Sequence, residues 1–207
     1  MPPVMRSIDP DRQSERDNYK LLTGTIIPRP IALVTTLSAG GTLNAAPFSY
    51  FNIVTADPPM ISVSVQRKQG RSKDTARNAL ERGAFVVHIA DEAYIAQVNA
   101  TAAALPPEES EAALAGLTPV ASECIPVPGV AEAKVRMECL LERSLPLGGT
   151  AGAPAADLLI GRVVRFHIAE AIYEDGRIDA AGLGAVSRLA GQNYARIGGV
   201  FALERPE

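Results

Sequence analysis

The sequence predicts a mainly β fold, an antiparallel barrel carrying a few short helices. Segments with strand patterning outnumber helical ones, and the helices fall between strands without the regular alternation of a parallel sheet. Turn residues such as Ser38-Ala39-Gly40-Gly41 and Asp57-Pro58-Pro59 break up the apolar runs.

The first expected element is a helix from about Ser14 to Leu22, with Ser14 and Asp17 forming a capping box and Gly24 marking the stop. Pro28 and Pro30 force extended backbone into the buried strand Ile31–Leu37. A turn follows, and Leu43–Asn52 completes a hairpin. Met60–Val65 alternates strictly, as a half-buried strand does. After the basic loop Gln66–Lys73, Asp74 is expected to cap a helix over about Thr75–Arg82, which Gly83 ends. Ala84–Ile89 reads as a strand, and Asp91 as the cap of a helix reaching about Thr101. Beyond an Ala/Pro/Glu-rich excursion, strands are expected at Lys134–Arg143, Asp157–Ile168 and Phe201–Glu204. No repeat or linker divides the chain, so residues 1–207 read as one domain, with a helical lead-in over about residues 1–24.

Composition narrows the function classes. With 47% hydrophobic and 21% charged residues, the chain has the balance of an ordinary globular protein. A net charge of -3 with scattered cations excludes a basic nucleic-acid face; the one loose cluster spans Arg67–Lys73. The two cysteines, Cys124 and Cys139, form no CxxC motif and read as reduced, partly buried thiols. The polar N-terminus lacks the apolar core of a signal peptide, and no apolar run reaches membrane-span length. A cytoplasmic protein with no membrane and no nucleic-acid partner is expected.

Phosphate-loop, dinucleotide-fold, nucleophile-elbow and zinc-helix motifs are all missing. His88 and His167 sit within apolar strand patterns and read as packed structural histidines, and no metal site is expected. An enzyme without an evident acid, base or nucleophile often delegates its chemistry to a cofactor. Three segments have the makings of a cofactor site. Leu43–Asn52 is crowded with small and polar groups that let a flat ring approach the backbone; an edge strand bulged at Pro47 would read similarly. Gln66–Thr75 gathers cations, hydroxyls and a helix start, the ingredients for holding a phosphate, although by itself it also fits a solvated basic loop. Gly182–Tyr194 presents Arg188 and Tyr194 among glycines, and a surface turn fits it equally well.

The ordered set Pro28-Arg29-Pro30-Ile31-Ala32, Val34-Thr35-Thr36, Asn44-x-Ala46-Pro47-Phe48-Ser49-Tyr50-Phe51-Asn52, Asp57-Pro58-Pro59 and Lys73-Asp74-Thr75-x-x-Asn78 resembles the flavin reductase-like, FMN-binding split-barrel family. Flavoredoxin and the reductase components of two-component monooxygenases belong to that family. Glu138-Cys139, Ile160-Gly161-x-Val163-Val164, Arg188-Leu189 and Tyr194 extend the likeness to cover Tyr19–Pro206.

The resemblance implies a six-stranded antiparallel Greek-key split barrel, usually a homodimer, with FMN (FAD in some relatives) near the subunit interface. It implies that Asn44, Ala46, Pro47, Ser49, Tyr50, Phe51 and Asn52 lie against the ring system with Thr35 beneath. Arg67, Arg71, Ser72, Lys73 and Thr75 would take the phosphate. Arg188 and Tyr194 would approach flavin or nicotinamide, from either subunit. The implied reaction is hydride transfer from NADH or NADPH to the flavin, supplying reduced flavin or electrons to a monooxygenase or electron-transfer partner. Three alternatives stand beside it: a flavoredoxin-like carrier without NAD(P)H activity, a barrel that has lost its flavin, and an oxidase related in fold to the pyridoxamine-phosphate oxidases. Leu33 stands where relatives commonly carry Trp, which bears on substrate preference, and no role is assigned to Ala102–Ala115.

Overall fold

The computed structural model describes residues 2–150 and 152–206. Helix α1 spans Glu15–Thr25; Ser14 Oγ accepts the Asp17 N–H at 3.1 Å and donates to its carboxylate at 2.7 Å, as the capping-box reading requires. Gly24 does not end α1, which runs one residue past it; the Thr23 and Thr25 hydroxyls bond back to the Tyr19 and Leu21 carbonyls.

Seven strands build the main sheet: β1 (Ala32–Leu37), β2 (Leu43–Phe48), β3 (Phe51–Ala56), β4 (Pro59–Gln66), β5 (Ala84–Ile89), β6 (Val135–Leu147) and β7 (Ala156–Ile168). Every pairing is antiparallel, in the order β2-β1-β5-β6-β7-β4-β3. The expected count of six is therefore corrected to seven. Leu43–Asn52 is not one strand: it breaks at Ser49–Tyr50, and its halves pair with different partners, β2 with β1 and β3 with β4. β3 escapes a pattern-based reading because Ile53, 76% exposed, and Val54 are not buried, while Phe51 packs against the core.

β2 and β3 lie at opposite edges of the ladder, yet only Ser49 and Tyr50 join them, a link of at most ~10 Å between strand ends. The sheet must curl until its edges nearly meet, while the ladder itself stays open. Ser64 N–H donates to the Tyr50 carbonyl at 2.8 Å, carrying the β3–β4 pairing one residue back into this link. The curled interior is filled by Ala32, Val34, Phe48, Val63, Phe85, Met137, Cys139 and Leu159, with Ala76 and Ala79 of helix α2 (Asp74–Arg82) packed against them. Gly161 is required within it, because a Cβ there would collide with the Phe85 ring.

β1 is buried on both faces, which accounts for its unbroken apolar run. Leu33 and Ala45 pack outward beneath Tyr94, Val98 and Ala112, contributed by the segment holding helices α3 (Ile95–Ala100) and α4 (Glu111–Leu114). Asp91 does not cap a long helix: its carboxylate accepts the Ala93 N–H at 2.8 Å in a turn, and α3 begins four residues later. Phe201–Glu204 forms no strand, and Val200, Phe201 and Leu203 extend with no apolar cover. Cys139 is buried, whereas Cys124 is exposed rather than partly buried. No helix among the described residues is long and apolar enough to cross a membrane.

Candidate functional site

A cavity of about 680 Å³ opens where β2, the start of α2 and the 101–111 segment converge, a volume in the range of small-molecule sites. Asn44, Ala46 and Pro47 line its β2 wall; Lys68, Arg71, Ser72, Lys73 and Thr75 line the opposite wall. Thr101–Leu105, Pro107 and Glu111 supply the third.

The cationic wall is shaped by two local devices. Gln69 (φ 52) and Gly70 (φ 74) turn the chain in the left-handed region, and Lys68 and Arg71 exchange both backbone hydrogen bonds at 3.0 Å across that turn. Asp157, only 2% exposed, then holds the loop: it accepts Arg67 Nε at 3.0 Å, Arg67 Nη2 at 2.6 Å and Ser72 Oγ at 2.8 Å. Arg67 is thus committed to a carboxylate and absent from the cavity lining. It organises the loop, a correction to its expected place among the phosphate-facing groups.

At the start of α2 the N-cap is Lys73, which makes no side-chain cap bond. Asp74 is not the cap: it sits one residue too late, inside the first turn, where its carboxylate is held by Arg77. The first turn therefore lacks the expected carboxylate cap, with Lys73 beside it on the cavity lining. Partial burial and the neighbouring Lys68 hold the Lys73 pKa below the usual lysine value.

Behind this wall lies a buried polar network. Asn44 Oδ1 accepts from Thr75 Oγ1 at 3.0 Å and Thr36 Oγ1 at 3.2 Å, and Asn44 Nδ2 donates to Glu111 Oε2 at 2.9 Å. The same oxygen meets the Ala45 N–H at 3.4 Å, on the free edge of β2, while Ser110 Oγ donates to the Leu43 carbonyl. Desolvation raises the Glu111 pKa, with the Ala45 and Asn44 hydrogen bonds offsetting part of that rise.

The expected residues divide accordingly. Asn44, Ala46, Pro47, Arg71, Ser72, Lys73 and Thr75 share the cavity. Thr35 does not: strand alternation turns it to the outer face, where its hydroxyl donates to the Pro128 carbonyl at 2.7 Å, and Thr36 takes the inner position. Ser49, Tyr50, Phe51 and Asn52 follow the seam beyond the cavity lining, with Asn52 Oδ1 accepting the Ile53 N–H at 2.8 Å. Burial raises the Tyr50 phenol pKa, with Tyr19 adding to it.

Arg188 and Tyr194 lie on a separate three-stranded sheet of Arg29–Pro30, Val186–Arg188 and Tyr194–Arg196. The Arg188 guanidinium stacks 4.4 Å from the Tyr194 ring centroid, and Tyr194 Oη donates to Asn99 Oδ1 at 2.8 Å. Tyr194 borders a second cavity of about 420 Å³ along Ile95, Ala96 and Asn99 of α3, and within one chain neither Arg188 nor Tyr194 lines the main cavity.

Sequence reasoning missed Glu111, Arg29 and the 101–107 wall. Arg29, 6% exposed, donates to the Thr23, Ile26 and Leu189 carbonyls and lies 3.4 Å from Ser49 Oγ, tying α1 and the small sheet to the seam. Its place between two prolines was the available signal. Nothing in the Ala-rich excursion distinguished Glu111. Of the histidines, His88 is the packed structural group expected. His167 is also largely packed, its side chain 19% exposed, and is hydrogen-bonded at 2.6 Å to Glu138; burial alone would raise that carboxyl, but His167 and the Glu123 and Cys124 N–H groups hold it low.

Across residues 23–182 the sequence matches the flavin reductase like domain. The chain belongs to the flavin reductase-like family. Among solved structures it is similar to nitrilotriacetate monooxygenase component B from Bacillus cereus, 65% identical, with a TM-score of 0.97 over 98% of this chain and 100% of the other. It is also similar to the 2-nitrobenzoate 2-nitroreductase NbaA of Pseudomonas fluorescens, 30% identical, TM-score 0.87, covering 97% and 96% of the two chains. A candidate flavin reductase with a split barrel domain from Shewanella frigidimarina shares the fold at 20% identity, TM-score 0.81, covering 95% and 96%. Family membership gives the open, curled sheet its description: a split barrel of the flavin reductase type.

Proposed function

We propose that the cavity holds FMN and that the chain passes reducing equivalents from NADH or NADPH through it to a partner oxygenase or another acceptor. The observation that carries this reading is the start of α2, which lacks a side-chain cap and opens, with Lys73 and Arg71 beside it, into a cavity of nucleotide size. Those donors fit a phosphate monoester, since helix-end N–H groups and cations together favour an anion. The small Ala46 and Pro47 leave room for a flat ring along β2. Ser49, Tyr50, Phe51 and Asn52 extend that surface along the seam.

When bound, FMN supplies the two-electron chemistry by accepting hydride from a dihydronicotinamide. The protein's part is positional and electrostatic. Lys73 and Arg71 neutralise the phosphate. Asp157 and Asn44 fix the Ser72 and Thr75 hydroxyls, so the wall is organised before the ligand arrives.

The active unit in this proposal is a homodimer. Ile53 and Val54 on β3, Leu22, Ile26 and Ile27 around the end of α1, and Phe201 in the tail are exposed apolar groups that a second copy would cover. Arg188 and Tyr194 would then border the partner's nicotinamide site. The 65% identity with a monooxygenase component B supports a monooxygenase partner.

The test is the absorbance spectrum of the purified protein titrated with FMN, then anaerobic addition of NADH and NADPH. Micromolar FMN binding and bleaching of the visible flavin band by either nicotinamide are expected. Binding without bleaching would make the chain an electron carrier, and failure to bind FMN would overturn the site.

A further inference from the structure

Among the described residues, Glu111 and Asp74 are the acids on the cavity lining; Asp74 is held by Arg77, whereas Glu111 makes no ion pair. It is 5% exposed, and both of its contacts to β2 fall on Oε2. The charged groups around it are Lys68 and Arg71 on the loop and Lys73 and Asp74 at the start of α2. β2 contributes no titratable side chain beside it, and Glu108 and Glu109 of its own segment are exposed. The hydrogen bonds Glu111–Asn44–Thr75 connect this carboxyl directly to the first turn of α2.

We propose that Glu111 makes binding of a phosphate-bearing ligand proton-linked: as the anion settles at Lys73 and the α2 start, Glu111 takes up one proton from solvent. This inference rests on the FMN site proposed above and names how that site is regulated. The physical cause is like-charge repulsion inside a poorly solvated cavity, where an added anion disfavours an ionised carboxylate. The proton adds to a carboxylate oxygen, no other bond breaks, and the neutral carboxyl still accepts from Asn44 and Ala45. Burial by itself raises this group in the same direction.

The sign follows from linkage. Glu111 binds its proton more tightly with ligand present, so affinity is highest at low pH and falls as pH climbs through the carboxyl's range. The ligand's own phosphate titrates near pH ~6, which affects every variant alike and cancels in a comparison.

The test measures FMN affinity by flavin fluorescence between about pH 5 and pH 8 for the unmodified protein and Glu111→Gln, with riboflavin as the phosphate-free probe. Glu111→Gln is expected to bind FMN about tenfold more tightly than the unmodified protein at the upper pH, with the gap narrowing toward the lower and no such divergence for riboflavin. Calorimetry of both proteins in two buffers of different ionisation enthalpy should show more proton uptake with FMN by the unmodified protein than by Glu111→Gln, a difference from which the ligand phosphate and Lys73 cancel. Parallel affinity curves, no such excess proton uptake, or equal divergence with riboflavin would each overturn the inference while leaving the FMN site standing. Failure of the unmodified protein to bind FMN would remove the site itself.

Discussion

Lowering the pH should destabilise the protein through His88 before its carboxylates are broadly protonated. The His88 ring is completely buried between two backbone partners: Nδ1 lies 2.9 Å from the Leu33 carbonyl and Nε2 accepts the Val130 N–H at 3.0 Å. That arrangement requires the neutral tautomer protonated on Nδ1, because a proton on Nε2 would face the Val130 N–H. Burial is the main cause that drives the pKa from 6.5 to about 4; Arg136 adds to it, while the Leu33 carbonyl and Glu132 oppose it. The unfolded chain then binds a proton below pH ~6.5 that the folded chain refuses until pH ~4, so stability falls as pH drops through that window. Integrated over the interval, the loss is about 3 kcal/mol. For a chain of this length that corresponds to a drop in Tm of roughly 6–12 °C. Urea unfolding followed by circular dichroism from pH 7 to 4 measures it, with His88→Gln as reference. The variant should be less stable at pH 7 by about 1–3 kcal/mol, yet lose less than the unmodified protein on acidification. If the two stability curves run parallel across the window, the neutral buried histidine is refuted.

Lys73→Ala should weaken FMN binding roughly tenfold to a hundredfold with little change in Tm, because it removes a charge-assisted contact at the cavity wall; undiminished affinity in a fluorescence titration would count against the phosphate site. Arg67→Met should lower FMN affinity by a different route. It leaves the buried Asp157 carboxylate with Ser72 alone and loosens the 67–73 loop, so faster limited proteolysis within the loop is expected, and an unchanged cleavage rate would show that Arg67 is not the organiser. Gly161→Ala should cost about 1–3 kcal/mol by forcing the Phe85 ring from its place in the core; a Tm within a degree of the unmodified protein would contradict the close approach.

Much of the fold is written locally. The Ser14 capping box, the Gly83 stop at φ 66, the alternation in Met60–Val65 and the apolar run Ala84–Ile89 each depend on neighbours in sequence, and each appears where patterning places it. The cationic loop and the small-residue strand were likewise legible, because phosphates call for cations at helix starts and flat rings for lean backbone.

Other features depended on which segments meet in space. Splitting Leu43–Asn52 into two strands at opposite edges follows from sheet closure, which no local pattern encodes. Thr35 and Thr36 look interchangeable in sequence, and only the register of β1 decides which hydroxyl faces inward. Asp157 and Glu111 lie far along the chain from the residues they hold. The sequence by itself determined the chemical types available, a cationic helix start and a lean strand. Tertiary structure alone decided which charges remain free at the cavity, because a charge is spent or available according to the partner that folding brings beside it.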